Sequence, residues 1–411
     1  ANESAMATAV DQSYLEANRM LLEMIKSSNG RFRVSFSISG LALEQFEQYA
    51  PEVIESFQEL AKTGSVEFLA TPYGHSIAAL YNDDEFEMQV KMQSDKIHEL
   101  FGKRPTVFAN TALLFSDEIA DKVYRMGYKT IMIEDAKHVM GWKSSHYVYS
   151  SIANPKAKLL VRDSKLSDDI NYRFSQWGWC EYPLTAEKFI NWVNSSPAEE
   201  EVFNIFLGYE ALGQLNSKQS GIFEFFKALP YYAIEKGITF STPSKTIETF
   251  KPVDTLSALY PMSWTDEEKD ISAWCGNDLQ NEALGKLYNL AERVHLCSDP
   301  LLKVDWLRLQ DTANFFFMSL FATVAADKAE AQDVAGGQKL IAADADFADG
   351  GKGENAYVHH VPAFLLGGGP FNAFALLLGG VVFLDGFVVL LGQGDVLLGG
   401  FVFQADKFIC L

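Results

Sequence analysis

The sequence predicts an α/β protein whose parallel strands form an irregular TIM-like barrel, followed by a helical segment. Three observations carry this expectation. Strand-like and helix-like patterns alternate from about residue 31 to 250, and repeated strand–helix units imply parallel strands joined by helical crossovers. No glycine-rich dinucleotide loop follows any of these strands, which disfavours an open doubly wound sheet. Beyond Ser263 the apolar spacing becomes helical only, through Trp264, Trp274, Leu279, Leu287, Leu290, Trp306 and Leu309.

The elements follow in order. Arg31–Ser39 alternates polar and apolar residues, as a half-buried strand does. Leu43, Phe46, Val53, Ile54, Phe57 and Leu60 follow helical spacing, interrupted at Pro51. Val66–Ala70 is a short apolar strand, Asp84–Phe101 a helix, Thr106–Asn110 a strand and Asp117–Met126 a helix closed by Gly127. Lys129–Ile133 reads as a strand, Thr185–Val193 as a helix and Val202–Leu207 as a buried strand. Gly221–Lys236 reads as a helix and Ile238–Phe240 as one more strand. This divides the chain into a barrel over 1–250, a helical segment over 251–318 and a tail over 319–411.

The tail has a different composition. It holds 15 of the 29 glycines, and Ala363–Leu384 carries no charge. That run is as long as the roughly 20 residues a membrane span needs. Gly367–Pro370 interrupts it, however, and no Lys or Arg closely flanks it, so a membrane association is not expected. Its composition is what an out-of-frame coding stretch would give.

The net charge of −20 argues against a nucleic-acid partner and is compatible with neutral sugars. Cys180, Cys275, Cys297 and Cys410 form no CxxC pair. No zinc site or disulfide framework is suggested, and buried thiols in a reducing, cytoplasmic compartment are expected. Ala1 to Asn18 lacks a signal-peptide profile. No cofactor is called for.

Barrels of parallel strands carry their active sites at the strands' C-terminal ends. The segments to inspect are therefore Glu67–Ser76, Asn110–Phe115, Glu134–His138 and Gly208–Gln214. Their surroundings, FSISGLALEQFEQYAPEVIESFQELAKTGSVEFLA, KLSDDINYRFS with EYPLTAEKF, GIFEFFKALP, and SWTDEEKDISAWCGN, resemble the α-amylase-like group of glycoside hydrolase family 57. The resemblance runs from about Tyr14 to about Met318. It implies an irregular (β/α)7 barrel followed by a helical bundle, acting on α-glucans with retention of configuration.

Retention needs two carboxyl groups about 5–5.5 Å apart, one attacking the anomeric carbon and one protonating the leaving oxygen. In the family the nucleophile is the Glu of an Asn-Thr-Glu-Leu motif. Here that motif reads Asn110-Thr111-Ala112-Leu113. The acid/base is the Asp opening Asp-Tyr-Glu-Thr-Phe-Gly-Glu-His, and here Gly208-Tyr209-Glu210-Ala211-Leu212-Gly213-Gln214-Leu215 stands in its place. The family's Glu-Thr-Tyr-Tyr-His reads Thr71-Pro72-Tyr73-Gly74-His75. The His-Gln-Pro motif of its first strand is absent, so the barrel is expected to lack that strand.

The remaining candidates keep two readings each. Glu67 and His75 either line a sugar subsite or make structural hydrogen bonds. Glu210, two residues past Gly208, shares its face if the strand continues and is the candidate substitute acid/base. Glu134 and Asp135 read as a solvated loop pair that could also bind sugar hydroxyls or a cation. Asp168 and Asp169 read as helix-capping residues. Trp179 is the foremost candidate for stacking on a sugar, with Trp264 and Asp270 as further substrate contacts; core packing suits Trp274, and Glu181 also stands near a strand end. The leading expectation is an α-amylase-like protein without hydrolase activity that binds α-glucans or maltooligosaccharides. A weak or altered glycosidase using Glu210 or Glu67 and a degraded gene product are the competing readings.

Overall fold

The computed structural model describes residues 2–319 and the short strands 377–378, 381–384, 387–390 and 407–410. Two compact units are present, Ala1–Asp270 with Phe403–Leu411, and Ile271–Val402.

In the first unit, β1 (Val34–Ile38) and β2 (Val66–Leu69) pair in parallel. The helices Gly40–Tyr49 and Pro51–Lys62 connect them. Ser39 caps the first helix by accepting from Ala42 N, and Pro51 opens the second, where its missing N–H costs nothing. The helix Asp83–Phe101 begins at Asn82, whose side chain accepts from Glu85 N, and ends at left-handed Gly102. It leads to β3 (Val107–Ala109), the helix Asp117–Arg125 and β4 (Thr130–Ile133).

Between residues 134 and 185 the structure adds a hairpin that the sequence pattern did not announce, β5 (Val148–Ser151) antiparallel to β6 (Lys158–Val161). Next come β7 (Phe206–Gly208) and β8 (Asp254–Leu256), the latter lying past residue 250 and parallel to β5. The second sheet runs β3-β4-β6-β5-β8. Ile238–Phe240, expected as a strand, forms none. Ile238 N instead donates to Ala233 O at 2.9 Å, and Phe240 lays its ring against Phe32 at 4.9 Å.

β1 and β7 are not neighbours. The strand Lys407–Cys410, which becomes β12 after the antiparallel β9 (Leu377–Leu378), β10 (Val381–Leu384) and β11 (Phe387–Leu390), lies between them and is antiparallel to both. This sheet therefore runs in the order β2-β1-β12-β7. Parallel bridges Ala70–Phe108 and Arg162–Asn204 link this sheet to the other one. Leu69, Val107, Ala109, Leu113, Met132, Leu160 and Phe206 form a core beneath the strand ends. Phe36, Phe57 and Tyr209 form an aromatic layer with Tyr14 and Phe46.

The second unit is helical in its described N-terminal part, with Asp278–Asn289, Pro300–Leu309 and Thr312–Phe316 among its helices. A reciprocal capping box of Asn277 and Gln280 starts Asp278–Asn289. The Trp306 indole donates to Leu287 O at 3.1 Å. The uncharged run Ala363–Leu384 falls largely outside the described residues. Among those described, no helix is long and apolar enough to cross a membrane. Three of the thiols are less buried than expected: Cys180 is exposed, and Cys275 and Cys297 are half-buried.

Candidate functional site

Arg162, just after β6, organises the C-terminal ends of the strands. It is 1% exposed, so its charge has to be answered by protein groups. Its Nη1 donates to both oxygens of Glu134 at 3.2 and 3.3 Å, its Nη2 pairs with Asp168, and its Nε donates to Phe206 O at 3.1 Å. The Trp264 ring lies 4.7 Å from the guanidinium carbon, and Lys269 Nζ reaches Glu134 at 3.1 Å. Burial disfavours the Arg162 charge, but Glu134 and Asp168 outweigh it and hold its pKa above the ordinary value.

Ala112 and Gly208 both border this cluster. Ala112 O accepts from Trp264 N at 3.0 Å, and Phe206, which Arg162 contacts, is two residues before Gly208. The turn carrying Ala112 is strained, with Ala112 at φ 45° and Leu113 at φ 55°. Asn110 spans it, its Nδ2 donating to Leu114 O at 2.9 Å and its Oδ1 accepting from Thr111 N at 3.0 Å. Thr111 Oγ1 donates to Ser76 O at 2.8 Å, which brings His75 beside the turn. His75 is buried, also with a positive φ. Lys269 is a further positive-φ residue. Such strain concentrates at functional sites.

Glu210 answers the absence at 208 in space. A β-carbon built on Gly208 would overlap the Glu210 carboxylate, lying 2.7 Å from its Oε2. The strand does not continue as an alternating ladder to achieve this, since Tyr209–Ala211 is a 3-10 turn. Tyr209 turns away into the core against Tyr14 and Phe36, its hydroxyl on Asn18. Tyr172, which sequence reasoning passed over, stands close enough to feel Glu210, Asp168, Arg162 and Glu134. Surrounding protein first, then Glu210 and Asp168, push its phenol up to about 12. It belongs to the π-helical turn Asp169–Arg173, a form frequent at functional sites. On the same turn both polar atoms of the Asn171 carboxamide are buried without a hydrogen-bond partner.

Several expectations change. Glu134 is fully buried and ion-paired rather than solvated, because β4 and β6 deliver it onto Arg162. Its neighbour Asp135 is held above the usual carboxylate range by burial, then by Glu134 and Asp163. The cap of the helix Ser164–Asp168 is Asp163, accepting from Leu166 N. Asp168 instead serves Arg162, and Asp169 pairs with Lys165 and Arg173. Glu67 accepts from Ser244 N at 3.0 Å and Thr106 Oγ1 at 3.4 Å, contacts that suit its structural reading. Trp179 is half-buried and edge-on to Trp192 at 6.3 Å. Asp270 is half-buried beside Lys269, its carbonyl accepting from Ser263 Oγ. Among the described residues no group of His, Cys, Asp or Glu is arranged to hold a metal ion.

The Glycosyl hydrolase family 57 model matches residues 2–259. The chain belongs to glycosyl hydrolase family 57. A candidate α-amylase of Methanocaldococcus jannaschii is 33% identical over 331 residues, covering 78% of this chain and 70% of that protein. The crystal structure of an α-amylase from Thermotoga maritima shares the fold at TM-score 0.53 and 14% identity, over 81% of this chain and 87% of its own. A 4-α-glucanotransferase from Thermococcus litoralis aligns at TM-score 0.51 and 19% identity, over 69% of this chain. The chain spans 41% of that enzyme's length. These likenesses establish an α/β fold of the family 57 kind with a helical C-terminal part, in a carbohydrate-active, α-amylase-like family.

Proposed function

We propose that this protein is a non-hydrolytic family 57 member that binds α-glucans or maltooligosaccharides at the strand ends around Arg162. The observation that carries the proposal is the pair Ala112 and Gly208 at the family's nucleophile and acid/base positions. Ala112 cannot form a glycosyl ester, and Gly208 cannot hold a proton. Each of these functions ordinarily supplies several kcal/mol of transition-state stabilisation. Nearby Glu134 and Asp168 are committed to Arg162, which leaves neither free as a replacement nucleophile. The interlinked sheets support the (β/α)7-type reading, with β12 in the seat of a missing strand.

A second reading draws on the position of Glu210, whose carboxylate fills the space of a side chain at 208. In that reading Glu210 is the acid/base of a weak retaining glycosidase. Retention also needs a second carboxylate as nucleophile, and the nearby Glu134 and Asp168 are engaged by Arg162, so the binding protein is preferred.

The test is hydrolysis of maltoheptaose by the purified chain, with calorimetry for binding. The expected result is heat of binding without product. Turnover by the unmodified protein that vanishes in Glu210→Gln would replace the first reading with the second. The pair Ala112→Glu and Gly208→Asp should confer hydrolysis if the cleft is intact, and the new Asp requires Glu210 to swing aside, which its flexible end permits.

A further inference from the structure

The segment from Tyr172 to Leu184 leaves the candidate site and ends at the helix Ala186–Asn194. Its inner side is firmly held. Phe174 is buried and edge-on to Phe225 at 5.3 Å, Leu184 is buried, and Ser175 Oγ donates to Asn216 at 2.7 Å. Successive backbone turns (Gln176 N to Arg173 O, Trp179 N to Gln176 O, Tyr182 N to Trp179 O) fix its course. Lys188 ties it to the following helix through the Glu181 carbonyl and carboxylate at 2.8 and 2.6 Å.

This anchored segment nevertheless holds the Trp177 ring in solvent, 84% exposed. The ring stacks on Tyr182, with centroids 5.4 Å apart and planes inclined by 19°. Tyr182 thereby backs one face of the indole and sets its orientation, so the opposite face is a flat apolar surface whose shape does not have to be organised on binding. Its area limits what can bind. An indole backed in this way offers at most about 250 Å², short of the roughly 1,000 Å² a specific protein interface needs. A pyranose fits better, because its C–H face lies flat on an aromatic ring while its hydroxyls stay in water or meet groups at the rim. Gln176 and Glu181 are the polar sequence neighbours of the two rings. The occupant should be neutral, since a net charge of −20 works against an acidic polymer.

We propose that Trp177 and Tyr182 form a stacking platform that holds a neutral α-glucan chain outside the candidate site. Tyr172 begins the segment, 55% exposed and within the field of Glu210, so the platform is continuous along the chain with the proposed cleft. This inference rests on the reading that the protein binds α-glucans, and it names a residue in place of Trp179, whose ring is taken up by Trp192.

The experiment is native electrophoresis of the intact chain through gels with amylopectin, with a β-linked glucan or with no polysaccharide. Maltoheptaose titration of tryptophan fluorescence reports on the cleft. Trp177→Ala and Tyr182→Ala should each weaken amylopectin retardation by about tenfold, with Trp177→Phe restoring most of it. An unchanged unfolding midpoint controls for folding. Retardation by amylopectin that is the same in Trp177→Ala as in the unmodified protein overturns the platform. If Tyr172→Ala then loses maltoheptaose binding, the cleft reading survives that failure. Loss in Trp177→Ala together with no maltoheptaose binding supports the platform and removes the cleft. An unmodified protein that amylopectin does not retard, or that the β-linked glucan retards equally, overturns the proposal. So does a self-association that Trp177→Ala abolishes without altering retardation.

Discussion

Replacing Arg162 by Met should be among the most damaging single changes in the first unit, and removing the charge of Glu134 as well should restore much of the loss. Arg162 is 1% exposed, and Glu134 is completely buried. In Arg162→Met, Glu134 keeps only Lys269 at 3.1 Å, while Asp168, partly exposed at 25%, can hydrate. Breaking a buried pair by removing one partner costs about 3–5 kcal/mol, against a total stability of about 5–15 kcal/mol for a typical domain. In the double variant Arg162→Met with Glu134→Gln, no carboxylate is left stranded, and the Lys269 ammonium can extend along its stem to water. The two changes should therefore be non-additive by about 2 kcal/mol or more, within the range for directly contacting residues. Urea unfolding of the four members of the cycle, followed by circular dichroism, measures this. Costs that add to within about 0.5 kcal/mol, or a loss below about 1 kcal/mol for Arg162→Met alone, would refute the account of the cluster as an interdependent charge network.

Two further outcomes follow from other contacts. His146 lies between two carboxylates, Nδ1 on Glu200 at 2.6 Å and Nε2 on Asp163 at 2.7 Å, and both contacts are donor bonds only when the ring is doubly protonated. Burial alone would lower its pKa, but Asp163 and Glu200 outweigh it and raise it. A raised folded value means that the contribution is complete below the ordinary value of about 6.5 and is lost as pH rises through the folded value. Urea midpoints of the unmodified protein should accordingly fall as pH rises above about 6.5 relative to those of His146→Gln, and parallel profiles would contradict the clamp. In the second unit, Asn277→Ala removes a reciprocal capping box and should cost about 1 kcal/mol in the same measurement, whereas Asn277→Ser should restore most of it.

Sequence periodicity reveals elements whose pattern is set locally and misses those set by closure. The helix Asp83–Phe101 is legible because Asn82, three acidic residues and Gly102 mark its ends. The β5–β6 hairpin went unseen although Asn154-Pro155 marks its turn, since each arm is short and continuously buried, without alternation to announce it. The same limit applies to the site. Ala112 and Gly208 could be named because their motifs are contiguous. Glu134 could not be placed, because its environment is made by Arg162, 28 residues away, and by Lys269, and it becomes a buried ion pair only when β4 and β6 lie side by side. Tyr172 and Asn171 were missed for a related reason, since only a π-helical turn packed near Glu210 gives them significance.

The strand ends therefore combine features that each work against stability. Of the five non-glycine residues with positive φ among the described residues, His75, Ala112, Leu113 and Lys269 all surround this region, at a cost of about 1–3 kcal/mol for each such residue. A buried ion-pair cluster is, on its own, often no more stable than an apolar replacement. An unpartnered carboxamide at Asn171 adds a desolvation cost of about 1–3 kcal/mol. A scaffold whose only task was to fold would have little reason to concentrate all three in one place. Catalysis by two free carboxylates does not account for them either, since Ala112 and Gly208 carry none and Glu134 and Asp168 are held by Arg162. What these features have in common is geometry: donors, acceptors and a strained turn fixed where the strands of a glycosyl hydrolase fold converge. Recognition of a polyhydroxylated ligand needs that fixed geometry and does not need the nucleophile, and this is the ground on which we propose binding without hydrolysis.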